Sequence, residues 1–191
     1  VNGMFAFAIW DKKKLCMTLA RDRMGEKPLY YSIQNNSLIF ASELKSLTKA
    51  SGFKFKICPN ALNLYFQHGY IPGPQSIYKK VNKLSPGHLI EFSQENLLHS
   101  DVTVQSKSFW ELRDSLDFTR RDFYKKNPHE AIKDLSSHLE QSVNNQMIAD
   151  VPIGSFLSGG IDSSLITALM QKNSIDPINT FSIGFHDKSF N

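Results

Sequence analysis

Residues Leu157-Ser158-Gly159-Gly160-Ile161-Asp162-Ser163-Ser164 join an apolar, strand-like run to a helix-like run, and their types suit contact with a pyrophosphate group. Gly159 and Gly160 carry no Cβ to hold a ligand away from the backbone. Ser158, Ser163 and Ser164 offer hydroxyls, and the start of the following helix offers unpaired N–H groups and a partial positive charge. Asp162, the one acidic residue here, can hold Mg²⁺ against phosphates. The chemistry indicated is therefore chemistry on ATP. Gly-Gly-x-Asp also describes an ordinary turn in which Asp162 caps a helix.

The flanking elements weigh between these readings. Residues 153–157 read as a short buried strand, and residues 163–171 as a helix with Leu165, Ile166, Leu169 and Met170 on one face. Residues 180–185 read as a second strand. A strand, glycine turn, helix and strand make a βαβ unit, whose turn lies at the carboxyl end of the first strand, where open α/β sheets bind ligands. That context favours the ligand-binding turn. Upstream, residues 130–149 predict a helix whose stripe of Ile132, Leu135, Leu139, Val143 and Met147 packs onto the sheet, with Pro152 ending it.

Nearer the N-terminus, residues 4–10, 15–20, 29–32 and 38–41 are short apolar or aromatic runs divided by lysine, Gly/Pro and Asn-rich turn signals. They predict an antiparallel meander. A short helix is expected over 60–69, carrying Leu62, Leu64, Tyr65 and Phe66, then an extended connection over 71–75. Further strand pieces are expected over 87–92 and around Phe109-Trp110.

The glycine turn lacks the spacing and terminal Lys-Ser/Thr of a Walker loop, and it lacks the Gly-x-Gly-x-x-Gly dinucleotide fingerprint. Ser-Gly-Gly-Ile-Asp-Ser at 158–163 instead resembles the PP-loop of the ATP pyrophosphatases, which split ATP between the α- and β-phosphates. The longer stretches 150–164 and 180–185 resemble glutamine-hydrolysing asparagine synthetases. So do residues 3–11, 20–31 (Ala-Arg-Asp-Arg-Met-Gly-Glu-Lys-Pro-Leu-Tyr-Tyr) and 40–47, which are similar to later strands of that family's glutaminase domain. Gly69-Tyr-Ile-Pro-Gly-Pro74 and Lys83-Leu-Ser-Pro-Gly-His88 extend the resemblance, whose main gap runs from about Glu95 to Phe123.

The resemblance implies an α+β then α/β chain. Residues 1–105 would be the C-terminal part of an N-terminal-nucleophile glutaminase β-sandwich with its connection. Residues 106–191 would begin a PP-loop ATP pyrophosphatase domain of the adenine nucleotide α-hydrolase-like type. It implies that Ser158, Gly159, Gly160, Ser163 and Ser164 hold the β- and γ-phosphates, that Asp162 binds Mg²⁺, and that Leu157, Ile183 and Gly184 flank the nucleoside. Plain sheet core explains Leu157 and Ile183 equally. Met4 matches a position lining an ammonia channel, or is an ordinary core methionine. Asp22 and Arg23 match a family turn, or are a surface pair or turn residues. The substrates implied are aspartate, glutamine and ATP, and a homodimer is the assembly implied for the full-length enzyme. The glutaminase nucleophile of the family is an N-terminal cysteine, whereas position 1 is Val1, so no catalytic residue is assigned and an internal fragment is expected. A paralogue acting on another carboxylate, or a non-catalytic nucleotide-binding remnant, remains open.

Composition sets wider bounds. With 41% hydrophobic and 12% aromatic residues the chain has enough apolar surface for packed cores. No apolar run approaches the ~18 residues that span a bilayer, and a cytoplasmic protein without a membrane partner is expected. Cys16 and Cys58 are the only cysteines, too few for a disulfide framework, and each is expected to be a small buried or half-buried residue. The six histidines show no metal or base-and-nucleophile spacing. Net charge is +4, with basic groups at Lys12-Lys13-Lys14 and at Arg120, Arg121, Lys125 and Lys126. Both read as solvated surface, with no nucleic-acid partner.

Overall fold

A reversal at Asp11 begins the architecture: its carboxylate accepts the amides of Lys13 (2.8 Å) and Lys14 (3.0 Å). This turn joins β1 (Ala6–Asp11) to β2 (Cys16–Arg21) in antiparallel register, Ala6↔Arg21 through Asp11↔Cys16. The three lysines are thus a solvated hairpin turn, as expected. The computed structural model describes residues 2–98, 104–119 and 127–187. Val1, the basic group at Arg120, Arg121, Lys125 and Lys126, and the last four residues lie outside them. The chain forms two units, Val1–Asp122 and Phe123–Asn191.

In the first unit, β3 (Tyr30–Gln34) and β4 (Ser37–Ala41) pair across Asn35 and Asn36, both left-handed at φ 51° and 56°. That is the turn geometry asparagine tolerates best among non-glycine residues. After α1 (Leu44–Leu47) and α2 (Pro59–His68), β5 (Val81–Lys83) adds to the free edge of β3, giving a sheet of order β4-β3-β5. Then β6 (His88–Ser93) pairs with β2. It is followed by α3 (Gln94–Leu98), by β7 (Lys107–Ser108), which pairs with β6, and by α4 (Leu112–Thr119). The first sheet has the order β1-β2-β6-β7.

The expected strands exist, but the single meander does not. It breaks between β2 and β3, which lie in different sheets, and β2 takes its second neighbour from β6. Burial explains the exchange. Leu19 on β2 and Ile90 and Phe92 on β6 form the buried core with Leu29 and Leu84, and Tyr31, Ile33 and Leu38 pack against it from the other sheet. The Tyr31 and Phe92 rings meet at 5.6 Å between centroids. A continuous meander would leave each sheet's apolar face without a partner. The helix expected over 60–69 is α2, started by Pro59 and ended by left-handed Gly69 at φ 75°. Its buried residue is Ala61, whereas Tyr65 and Phe66 are exposed. Cys16 and Cys58 are both half-buried free thiols, as expected.

The second unit opens with α5 (Pro128–Gln146), where Asn127 and Glu130 form a reciprocal capping box: Asn127 Oδ1 accepts the Glu130 amide at 3.0 Å and Glu130 Oε2 accepts the Asn127 amide at 3.2 Å. The helix stops at Gln146, ahead of the expected end near Pro152, as Met147 closes it through a tightened bond to the Asn144 carbonyl. Next come β8 (Gly154–Phe156), α6 (Ile161–Lys172) and β9 (Asn179–Phe181), with β8 and β9 parallel in register Gly154↔Asn179 to Phe156↔Phe181. The βαβ unit is present, but its second strand ends at Phe181, short of the end at residue 185 that the sequence predicts. Its contacts differ from expectation: α5 packs against α6, and of its stripe Val143 is buried while Ile132 and Leu135 are exposed.

Candidate functional site

The glycine turn leaves β8 at Leu157 and enters α6 at Ile161. Leu157 still belongs to the sheet ladder, its amide donating to the Phe181 carbonyl at 2.8 Å, and Ser182 Oγ donates to the Leu157 carbonyl at 2.6 Å. Ile183 and Gly184 follow directly, both exposed. The turn and the chain beyond β9 therefore lie side by side at the carboxyl ends of two parallel strands. This is where ligands bind in open α/β sheets.

The two glycines are needed for different reasons. Gly159 has φ +81°, a conformation L-residues rarely adopt, with no atom within 4 Å of where a Cβ would stand. Gly160 caps α6 with φ −77° and ψ 162°, ordinary extended backbone, and its nearest neighbours would be Ser158 Oγ at 3.6 Å and Ser163 Oγ at 4.0 Å. Glycine at 159 makes the bend. Glycine at 160 leaves one face of the turn open.

Ser163 is the hub of the turn. Its Oγ accepts the Ser158 amide at 3.3 Å, bonds Ser158 Oγ at 3.0 Å and donates to the Gly160 carbonyl at 3.1 Å. Ser164 and Asp162 are exposed on the first turn of α6. A lone carboxylate there fits Mg²⁺ delivered with a polyphosphate, since that ion is commonly held by one or two carboxylates plus the phosphates themselves. Among the described residues no three His, Cys, Asp or Glu side chains form a self-sufficient metal cluster.

Two supporting features escaped the sequence reading. Ser155, expected only as part of a buried strand, is the one buried residue of β8, and its Oγ bonds Thr167 Oγ1 at 2.9 Å, which also donates to the Ser163 carbonyl at 2.8 Å. Phe156 is 78% exposed, so the strand is not buried as a whole. On α6 the inward face is Thr167 and Met170, with Leu169 half-buried, while Leu165 and Ile166 remain exposed. Gly154 is the second feature. A Cβ there would lie 2.4 Å from Phe181 Cε2 and 3.1 Å from the Asn179 carbonyl, so close strand approach requires glycine.

In the first unit, Asp22 and Arg21 organise the turn that leaves β2. Asp22 is buried, its carboxylate accepting the amides of Glu26 (2.9 Å), Lys27 (2.9 Å) and Phe5 (3.3 Å). Burial pushes this carboxyl up, but the backbone donors together prevail and hold it below the usual aspartate value. Arg21, unmarked in the sequence reading, donates to the carbonyls of Lys27 (2.7 Å), Leu84 (2.7 Å) and Gly25. Arg23 is exposed and bonds Asn2 Oδ1 at 2.8 Å. Asp22 is thus a turn residue, not half of a surface pair with Arg23. Phe5 exchanges two bonds with Asp22, through its amide and its carbonyl, which accepts the Asp22 amide at 2.9 Å. Met4, 39% exposed, sits on this anchored backbone.

These features define a two-sheet α+β unit followed by a βαβ unit with an open glycine turn. Residues 1–107 match the glutamine amidotransferase domain and residues 134–191 match asparagine synthase. The chain belongs to the glutamine amidotransferase family, in the arrangement where that domain precedes an asparagine synthase domain. It is 38% identical to a putative glutamine-hydrolysing asparagine synthetase 2 of Methanocaldococcus jannaschii, over 98% of this chain and 35% of that protein. It is 37% identical to glutamine-hydrolysing asparagine synthetase 1 of Bacillus subtilis, over 100% of this chain and 28% of that protein. A third relative is the amidase chyE of Penicillium rubens, 29% identical over 89% of this chain and 23% of its own length. The chain thus spans about a third or less of the curated relatives it matches. Among the described residues, no helix is long and apolar enough to cross a membrane.

Proposed function

We propose that this sequence serves a glutamine-dependent asparagine synthetase. Its second unit binds ATP on a PP-loop so that an aspartate side chain can be adenylated, and its first unit is part of an N-terminal-nucleophile glutaminase sandwich. The observation that carries the reading is the open Gly159-Gly160 turn at the carboxyl end of β8, leading into an exposed helix start. The amides of the turn and of the first turn of α6 would take the β- and γ-phosphates, with the hydroxyls of Ser158 and Ser164 beside them. Ser163 would hold the turn in shape. Asp162 would hold Mg²⁺, which neutralises phosphate charge when bound. Leu157, Ile183 and Gly184 would border the nucleoside.

On this reading the aspartate carboxylate attacks the α-phosphate, pyrophosphate departs into the turn, and ammonia displaces AMP. The protein's contribution is position and preorganised dipoles. Ammonia released from glutamine would pass Met4, whose backbone neighbour is held by Asp22. This reading carries with it a cytoplasmic location, where ATP and both amino acids are at hand, and a homodimeric assembly. The test is the product of ATP breakdown when the protein bearing this sequence, at the length of its relatives, is given aspartate, glutamine and Mg-ATP. AMP with pyrophosphate is expected; ADP would refute the PP-loop reading. The likeness to a protein named an amidase favours one second reading, in which the same turn serves another carboxylate acceptor. Omitting aspartate and still observing acceptor-dependent AMP release would select it.

A further inference from the structure

Away from the glycine turn, four lysines converge on one concavity. Lys54, Lys56, Lys79 and Lys80 line a cavity of about 580 Å³ in the first unit, closed on one side by the Gln34–Asn36 turn. No acidic residue lines it. Among the described residues, none of the four ammonium groups takes part in an ion pair or hydrogen bond. All four lysines are exposed, and four like charges around a shared hollow repel one another and raise the local potential for anions.

The walls are held by backbone and amide bonds. Asn35 Nδ2 donates to the Gly52 carbonyl at 2.7 Å, and Gln34 Oε1 accepts the Lys54 amide at 3.0 Å, tying the β3–β4 turn to the segment that carries two of the lysines. The Lys79 amide donates to the Lys56 carbonyl at 2.8 Å, and Ile57 bridges Tyr78, so the two lysine-bearing segments run alongside each other. Phe55 and Tyr78 stack edge-on at 5.5 Å behind them. Lys80 is left-handed at φ 62° immediately before β5. Lys56 and Lys79 are thus set by paired backbone, and Lys54 by the Gln34 side chain.

From this juxtaposition we propose that the cavity is a second anion site, built for a small molecule bearing two or more phosphate groups. Cavities of roughly 300–1,000 Å³ accommodate compact ligands of nucleotide size. Lysines act as point charges that match phosphate oxygens without demanding one planar geometry. A single carboxylate would leave most of the positive charge unanswered, whereas a di- or triphosphate answers it. The inference does not depend on the proposed ATP chemistry, since every lining residue lies in the first unit.

The test is an amide chemical-shift titration of the whole chain with inorganic tripolyphosphate and, separately, with ATP, both without divalent ions. Shifts at Asn35, Asn36, Lys54, Lys56, Lys79 and Lys80 report this cavity, and shifts over residues 157–164 report the glycine turn independently. The cavity amides are expected to saturate, with affinity falling at least about fivefold between about 50 and 200 mM salt. Lys54→Gln with Lys79→Gln is expected to weaken that saturation tenfold or more, whereas Lys12→Gln with Lys13→Gln leaves it unchanged. Equal affinities for the two ligands would assign recognition to the phosphates alone, and tighter ATP would assign it to a nucleotide; either supports the site. Cavity amides that stay still, or an equal loss in the Lys12/Lys13 variant, would overturn it. So would a short single-stranded oligonucleotide that outcompetes tripolyphosphate, because it would show a generic basic surface.

Discussion

Substituting alanine at each of the two turn glycines separates a residue needed for shape from one needed for a ligand. At Gly159, φ +81° places an L-residue where the left-handed conformation costs about 1–2 kcal/mol, with no clash added. At Gly160 the backbone is ordinary, and the new Cβ would rest 3.6 Å from Ser158 Oγ, a normal contact. Alanine is a poorer helix cap than glycine, by somewhat less than ~1 kcal/mol, but it also stiffens the unfolded chain by ~0.4–1 kcal/mol. The two nearly cancel, so Gly160→Ala should change the stability of the second unit by no more than about 0.5 kcal/mol. Phosphate oxygens bonded to turn amides come within about 2.7–2.9 Å of nitrogen, and a methyl on that face obstructs them. Losing one charge-assisted bond of ~1.5–3 kcal/mol weakens binding at least about tenfold. Amide shifts over residues 157–164 during a Mg-ATP titration measure the affinity, and hydrogen exchange of α6 measures stability. Mg-ATP binding to Gly160→Ala within about twofold of the parent would refute the cradle. A collapse of α6 protection would show instead that Gly160 is structural.

Three further outcomes follow from the same geometry. Replacing Asp22 with Asn leaves amides facing an NH₂ group and should destabilise the first unit by roughly 3 kcal/mol or more. Trp10 and Trp110, the only tryptophans, both lie in that unit, so their fluorescence during urea unfolding reads it alone. Because the Asp22 carboxyl is held below its ordinary value of 3.8, its stabilisation is present above about pH 4 and fades as acid carries the pH down through the folded value. The Asn variant should lack this acid-dependent part, and an identical acid profile in both proteins would contradict it. At Gly87, φ +66° and a Cβ placed 2.2 Å from the Trp110 carbonyl leave no room, so Gly87→Ala should cost more than about 3 kcal/mol in the same fluorescence assay. Asn127→Ala removes half of the capping box and should lower helical stability in the second unit by about 1 kcal/mol, measured as faster hydrogen exchange in the first turn of α5.

Local signals proved legible and pairwise ones did not. The Asn35-Asn36 turn, the lysine hairpin and the βαβ unit around Gly159-Gly160 each depend on a few adjacent residues whose backbone preferences are strong. The second neighbour of β2 depends on β6, more than seventy positions away for most of the paired residues, and nothing in the periodicity of residues 16–21 distinguishes it from β3. Burial on α6 followed hydropathy only in part: Met170 is buried and Leu169 half-buried, as their apolar character predicts. Thr167 faces inward because Ser155 needs a partner, while Leu165 and Ile166, apolar and at the right spacing, stay exposed. Arg21 went unmarked because its role, bonding three carbonyls from two segments, exists only once Leu84 has been brought beside the turn. Asp22 was visible as a turn residue, yet its burial was not, since an acid in a polar tetrapeptide usually faces water.

The bond between Ser155 and Thr167 has a consequence for how α6 is mounted. A helix held by broad greasy contact can spin or slide by small amounts at little expense, because one methyl substitutes for another. Here the inward key is one hydroxyl meeting another, and a rotation of one residue, about 100° for an α-helix, would carry Thr167 out of reach. The angular phase of the helix is therefore locked more firmly than its tilt, so the amides at its mouth keep pointing across the glycine turn even if the helix leans.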